Sequence, residues 1–110
     1  MPVLDANTKR FNQVVKQNQG VSLFRFWASW CPPCRMMTKV FQQAQKRTNG
    51  LAEFYDVNVD RHTELAEQCR IRSIPTIIIY KNGKEVKRVG GIVMADELQQ
   101  LVEKYSKNSR

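Results

Sequence analysis

The stretch that most restricts this chain is a nearly continuous apolar run, Val21 to Ala28, cut short by Trp30-Cys31-Pro32-Pro33-Cys34. Only Ser22 and Arg25 interrupt the run, and its aromatic content suits a strand buried on both faces. The double proline ends any such strand, yet proline is tolerated in the first turn of a helix, where its missing N–H has no partner to lose. From Cys34 onward Met37, Val40, Phe41 and Ala44 recur at helical spacing, until Asn49-Gly50 closes the segment. The pattern therefore delivers two cysteines, three apart, to the junction of a central strand and a helix.

The rest of the chain alternates in the same way. Residues 2–4 read as a short edge strand, and a helix starting at Asn7 or Thr8 carries Phe11, Val14 and Val15 on one face until Gly20. Phe54 to Val59 reads as a second buried strand, His62 to Cys69 as a short helix, and Thr76 to Tyr80 as a strand entered through Ile74-Pro75. Asn82-Gly83 is a strong two-residue hairpin turn into Glu85–Val89. Gly90-Gly91 ends that strand, and Ala95 to Lys107 predicts an amphipathic helix with Leu98, Leu101, Val102 and Tyr105 on its apolar side. The order β-α-β-α-β-α-β-β-α implies an α/β fold, a mixed sheet with helices on both faces. No repeat or linker divides residues 1–110, so one domain is expected.

The formal charge of +8 raises the possibility of an acidic partner. The positive residues are dispersed from Lys9-Arg10 to Lys104 and Arg110, with no run of five and no basic-aromatic stripe, so no nucleic-acid partner is expected. No apolar run approaches the roughly 18 residues of a membrane span, and Met1–Asp5 lacks a signal-peptide pattern. A cytoplasmic location without membrane attachment follows as the expectation. Three cysteines, two of them in a Cys-x-x-Cys, also suit a reducing compartment better than a set of spread disulfides would.

Cys-x-x-Cys spacing lets two sulfurs meet in a disulfide. Cys31 at a helix N-terminus faces unpaired N–H groups and a partial positive charge, which favour thiolate over thiol. A zinc half-site is the competing reading, but zinc usually takes four ligands, and only Cys69 and His62 remain as soft or imidazole donors. A purely structural pair is the third reading. His62 is expected at the surface with no role as a base. Cys69, four residues after Leu65, is read as a small buried apolar residue, the alternative being a regulatory thiol that would need exposure and a low pKa.

Phe26-Trp27-Ala28-Ser29-Trp30-Cys31-Pro32-Pro33-Cys34-Arg35-Met36 resembles the active-site segment of thioredoxins. Arg72-Ser73-Ile74-Pro75-Thr76 resembles their cis-proline loop, and Lys81-Asn82-Gly83-Lys84 and Gly91 match at the expected separations. The similarity spans essentially the whole chain. It implies a thioredoxin fold: a central mixed sheet with strands at 2–4, 21–28, 53–59, 76–81 and 85–89, flanked by four helices. It implies a thiol–disulfide oxidoreductase that reduces protein disulfides, with Cys31 the exposed nucleophile and Cys34 the buried resolving thiol. Trp30, Ile74, Pro75 and Gly91 would wall the substrate groove. Read without the resemblance, Ile74-Pro75 is an ordinary strand entry; with it, the bond is expected to be cis. The resemblance further implies a monomer without a cofactor of its own, recharged by a thioredoxin reductase with NADPH electrons. Two alternatives stand beside it: a more oxidising or dedicated exchange partner, and a non-catalytic binding module on the same fold.

Three departures from that resemblance carry information. Pro32-Pro33 replaces the usual Gly-Pro and bears on redox potential; Pro-Pro centres are also similar to those of tryparedoxin-like proteins, which are longer. Arg25 stands where many thioredoxins have a buried aspartate, and Asp56 where they have a lysine. A buried arginine demands a partner, so Arg25 and Asp56 are expected to pair beneath the dithiol. Their role is either to tune the pKa of the dithiol, through Asp56 as a proton carrier or Arg25 beside the Cys34 thiolate, or to be structural alone. Lys39 replaces a proline that bends the helix after Cys34, so a straighter helix is expected.

Overall fold

The structure, a computed structural model, describes residues 2–17 and 19–107. In chain order it contains β1 (Leu4–Asp5), α1 (Thr8–Gln17), β2 (Val21–Trp27), α2 (Pro32–Thr48), β3 (Ala52–Asn58), α3 (Thr63–Gln68), β4 (Thr76–Lys81), β5 (Lys84–Gly90) and α4 (Ala95–Lys107). The strands form one sheet in the order β1-β3-β2-β4-β5. β1 and β2 run parallel to β3, whereas β4 is antiparallel to β2 and β5 to β4.

Period-2 alternation along β2 sorts the core into two layers. Val21 and Leu23 join Phe54, Ile77 and Ile79 beneath α2 and α4, which contribute Met37, Phe41, Ala44, Leu98 and Val102. Phe24 and Phe26 face the other way and join Tyr55, Val57, Ile78 and Tyr80 with Phe11 and Val14 of α1 and Leu65 of α3. By the same alternation Arg25 falls in the α2 layer, directly opposite Asp56 in the parallel register with β3. β2 is thus buried on both sides along nearly its whole length and stops at the segment that carries the cysteines.

The β4–β5 turn is a type I′ hairpin: Asn82 and Gly83 have φ of 53° and 82°. Gly83 has a second reason to be glycine, since a Cβ there would lie 2.3 Å from the carbonyl oxygen of Val15 in α1. Asn49, also left-handed at φ 42°, caps α2 by donating its N–H to Gln45. β5 is an edge strand with exposed Lys84, Lys87 and Arg88, a charged border that discourages edge pairing.

Several boundaries differ from the sequence reading: β2 ends at Trp27 rather than Ala28, α2 starts at Pro32 rather than Cys34, and β5 spans Lys84–Gly90 rather than Glu85–Val89. The N-terminal strand is Leu4–Asp5 rather than 2–4, because only Leu4 and Asp5 find parallel partners, Tyr55 and Asp56. The second buried strand begins at Ala52, paired with Val21, and ends at Asn58. His62 and Cys69 flank α3 as its caps rather than lying inside it. α2 runs without interruption through Lys39.

Candidate functional site

β2 ends at Trp27, and four residues later Cys31 becomes the N-cap of α2. Its backbone is extended, at φ −95° and ψ 107°, and its Sγ accepts the N–H of Cys34 at 3.3 Å. Serine or aspartate supplies such an oxygen at ordinary helix starts; here the capping acceptor is sulfur. Pro32 and Pro33 occupy the first helical positions, where they remove donors that the helix could not have paired. Cys31 and Cys34 are joined in a disulfide, with Cα atoms 5.3 Å apart.

The exposed nucleophile implied by the resemblance is nearly covered in this oxidised state. Cys31 keeps 4% of its surface open and Cys34 none. The reason is local. The Cys31 sulfur is bonded to Cys34, sits 3.9 Å from the Ile74 carbonyl oxygen and packs with Ala28, Trp27, Val59 and Ile74.

The Ile74–Pro75 peptide is cis. Pro75 in turn accepts the N–H of Gly91 through its carbonyl at 2.9 Å, which brings the loop after β5 alongside. Gly91 has φ +83°, a conformation a side chain would resist. Trp30 stands 64% exposed, its indole N–H donated to Asp60 Oδ2 at 2.7 Å. Of the four groove residues expected from the sequence, Ile74 packs on the disulfide, Pro75 follows Ile74 across the cis bond, Gly91 is tied to Pro75, and Trp30 immediately precedes Cys31.

Beneath it, Arg25 is 1% exposed and grips Asp56 with two bonds, Nε to Oδ1 at 2.7 Å and Nη2 to Oδ2 at 2.9 Å. Nη1 donates to the carbonyl oxygen of Cys34 at 2.7 Å. The guanidinium also stacks at 5.0 Å from the Trp27 ring centroid and 5.6 Å from that of Phe41. The pair anticipated from the sequence exists, but the arginine meets the backbone of Cys34 rather than its sulfur. Asp56 borders a cleft of about 440 Å³ that also reaches Asp60 and His62.

Asp60 escaped sequence reasoning. Its loop is set by Asn58 Oδ1, which accepts the N–H groups of Asp60 and Arg61, a side-chain turn whose only sequence signal is Asn-x-Asp after a strand. Cys69 lies in the other core layer, beneath α1. Burial pushes its thiol upward, outweighing the hydrogen bond to Tyr80 and the charge of Arg88, both of which pull it down. Among the described residues no group of three or more Cys, His, Asp or Glu side chains gathers as a metal site.

What two adjacent sulfurs at such a helix start can do is exchange: closing the bond between them gives two electrons to a partner disulfide, and its cleavage by two external thiol equivalents returns them. That chemistry defines a thiol–disulfide oxidoreductase. A profile of the thioredoxin family matches residues 2–104. Thioredoxin 1 of Nostoc sp. is 39% identical over 86% of this chain and 89% of its own length. Spinach (Spinacia oleracea) chloroplastic M-type thioredoxin is 33% identical over 94% of this chain, which spans 57% of that relative's length. The solved structure of Malassezia sympodialis thioredoxin superposes with a TM-score of 0.84 at 31% identity, covering 96% of this chain and 95% of that one. The chain belongs to the thioredoxin family.

Proposed function

We propose that this chain reduces disulfides in protein substrates through the Cys31–Cys34 couple. In the dithiol form, the Cys31 thiolate attacks one sulfur of a substrate disulfide, and the other substrate sulfur leaves as a thiolate. Cys34, as thiolate, then attacks Cys31 Sγ, freeing the second substrate thiol and closing the internal disulfide. Two electrons pass to the substrate, and a thioredoxin reductase restores the dithiol with two from NADPH. The observation that carries the reading is the Cys34 N–H donated to Cys31 Sγ at the start of α2. A donor aimed at that sulfur, together with the positive end of the helix, stabilises the thiolate that must attack and later leave.

Trp30, Ile74, Pro75 and Gly91 form the groove in which an extended substrate segment lies, with the Ile74 backbone as its pairing edge. Pro32 and Pro33 stiffen the ring between the sulfurs. Arg25 and Asp56 act as a positioning pair: Arg25 holds the Cys34 carbonyl, and Asp56 neutralises Arg25. The chain works as a cytoplasmic monomer and takes no cofactor. Among the described residues no helix is long and apolar enough to cross a membrane.

The test is reduction of insulin by the purified chain with dithiothreitol as electron source. Wild type accelerates it; Cys31→Ser abolishes the acceleration; Cys34→Ser accumulates a mixed disulfide through Cys31. Undiminished activity in Cys31→Ser would overturn the assignment, and loss of function only on mutating other surfaces would favour a binding module.

A further inference from the structure

Trp30, Met36, Ile92 and Met94 are all more than half exposed. Trp30 and Met36 flank the two cysteines in the chain, and Ile92 and Met94 follow Gly91, whose N–H is bonded to the Pro75 carbonyl. Arg35 directly follows Cys34, and Lys39 lies one turn on along the same face of α2. Arg72 is two residues before Ile74, whose carbonyl oxygen is 3.9 Å from Cys31 Sγ. Arg61 follows Asp60, the residue that holds Trp30. All four cations are exposed.

Asp56 is bound by Arg25, and Asp96, two residues past Met94, is paired with Arg47. Asp60 accepts only the neutral Trp30 indole N–H, so its charge stays beside Arg61 in the same cleft. The positive charge left for a partner to answer is that of Arg35 and Arg72, which make no ion pair among the described residues.

We infer that the preferred substrates present acidic residues beside the disulfide they offer, met by Arg35 and Arg72 while the apolar centre covers the sulfurs. This rests on the reductase reading and names its substrate class. Opposite charge at a rim raises encounter rate and fixes orientation more than it raises intrinsic affinity, so the effect belongs in the bimolecular step and fades with salt.

The test uses the reduced full chain in single-turnover stopped flow against three disulfide peptides of equal length, flanked by Glu, Gln or Lys. At low ionic strength the Glu peptide is expected to react about tenfold faster than the Lys peptide, a steering effect of ordinary size. Near 0.5 M salt, where the screening length falls toward a few ångströms, the ratio should drop below about threefold. Charge reversal in Arg35→Glu/Arg72→Glu should invert the order at low salt. Lys104→Glu/Lys107→Glu removes the same charge from α4, at the far end of the sheet, and should leave the order intact. Equal rates for the Glu and Lys peptides, or equal effects of the two double variants, would overturn the inference. The Gln peptide separates the two levels: its failure to be reduced counts against the reductase reading, not against the charge preference.

Discussion

Arg25 and Asp56 face each other across the β2–β3 register, joined by two hydrogen bonds of 2.7 and 2.9 Å, and the third arm of the arginine ends on the Cys34 carbonyl. One ion pair thus ties two central strands to the first turn of the helix that bears the dithiol. Its net charge is zero, and the arm that reaches Cys34 is the guanidinium.

That neutrality makes opposite predictions for its halves. Asp56→Asn leaves an uncompensated guanidinium near Cys34 and should lower the Cys34 titration in the pH–rate profile. Arg25→Met leaves a carboxylate and should raise it. Each single change should also destabilise by about 3–5 kcal/mol in urea unfolding, the usual consequence of orphaning one partner of a buried pair. Replacing both by Met and Leu should cost less than the sum. A Cys34 titration that moves the same way in both variants would show that charge is not the coupling.

Cys69 should be a slow thiol. It is a buried cysteine in the α1-side layer, and burial lifts its pKa. Iodoacetamide given to the reduced native chain at pH 7 should label Cys31 first and Cys69 at least about tenfold slower, since only the thiolate reacts. In denaturant the difference should vanish. Equally fast native labelling of Cys69 would revive a regulatory role.

Alkaline stability has a defined window. Burial, then the hydrogen bond to Glu53, raises Tyr55 from 10.0 to about 12. Tyr80 is raised as well, by burial first and then by the neighbouring Cys69. Both folded values lie above the unfolded one, so the stability these phenols contribute is fully present below pH 10 and is lost as pH rises through the folded values. Urea midpoints should fall above pH 10, and Tyr55→Phe should flatten the fall. Midpoints that stay level to pH 12 would contradict the burial of these groups.

Gly83 and Gly50 make a controlled pair. Both have positive φ, 82° and 84°, but a Cβ at Gly83 meets the Val15 carbonyl while one at Gly50 meets open space. Gly83→Ala should destabilise by about 1–3 kcal/mol more than Gly50→Ala, the excess measuring the clash rather than the backbone strain. Equal losses would mean that α1 does not press on the turn.

Much of this was legible beforehand because the deciding signals are local. The buried run at Val21–Ala28, the prolines at a helix start, and Asn82-Gly83 each fix conformation over a few residues. Helical spacing alone picked out Met37, Phe41, Leu98 and Val102 as core. The two-residue β1 was misplaced because so short a strand has no period; its position depends on which residues find partners in β3. Trp30–Asp60 is invisible in sequence for a related reason, since the contact joins residues thirty apart through an Asn58 turn. The charge swap foretold the Arg25–Asp56 pair. That the third arm of Arg25 would choose a carbonyl over a sulfur depended on the depth at which α2 starts.

The most direct measurement equilibrates the chain with glutathione buffers of stepped potential, traps free thiols with a maleimide and weighs the products. The account predicts that Cys31 and Cys34 acquire label together along a single two-electron curve, about 29.6 mV per decade, while Cys69 labelling does not follow the buffer. Labels gained one at a time, or independently of the buffer, would contradict it.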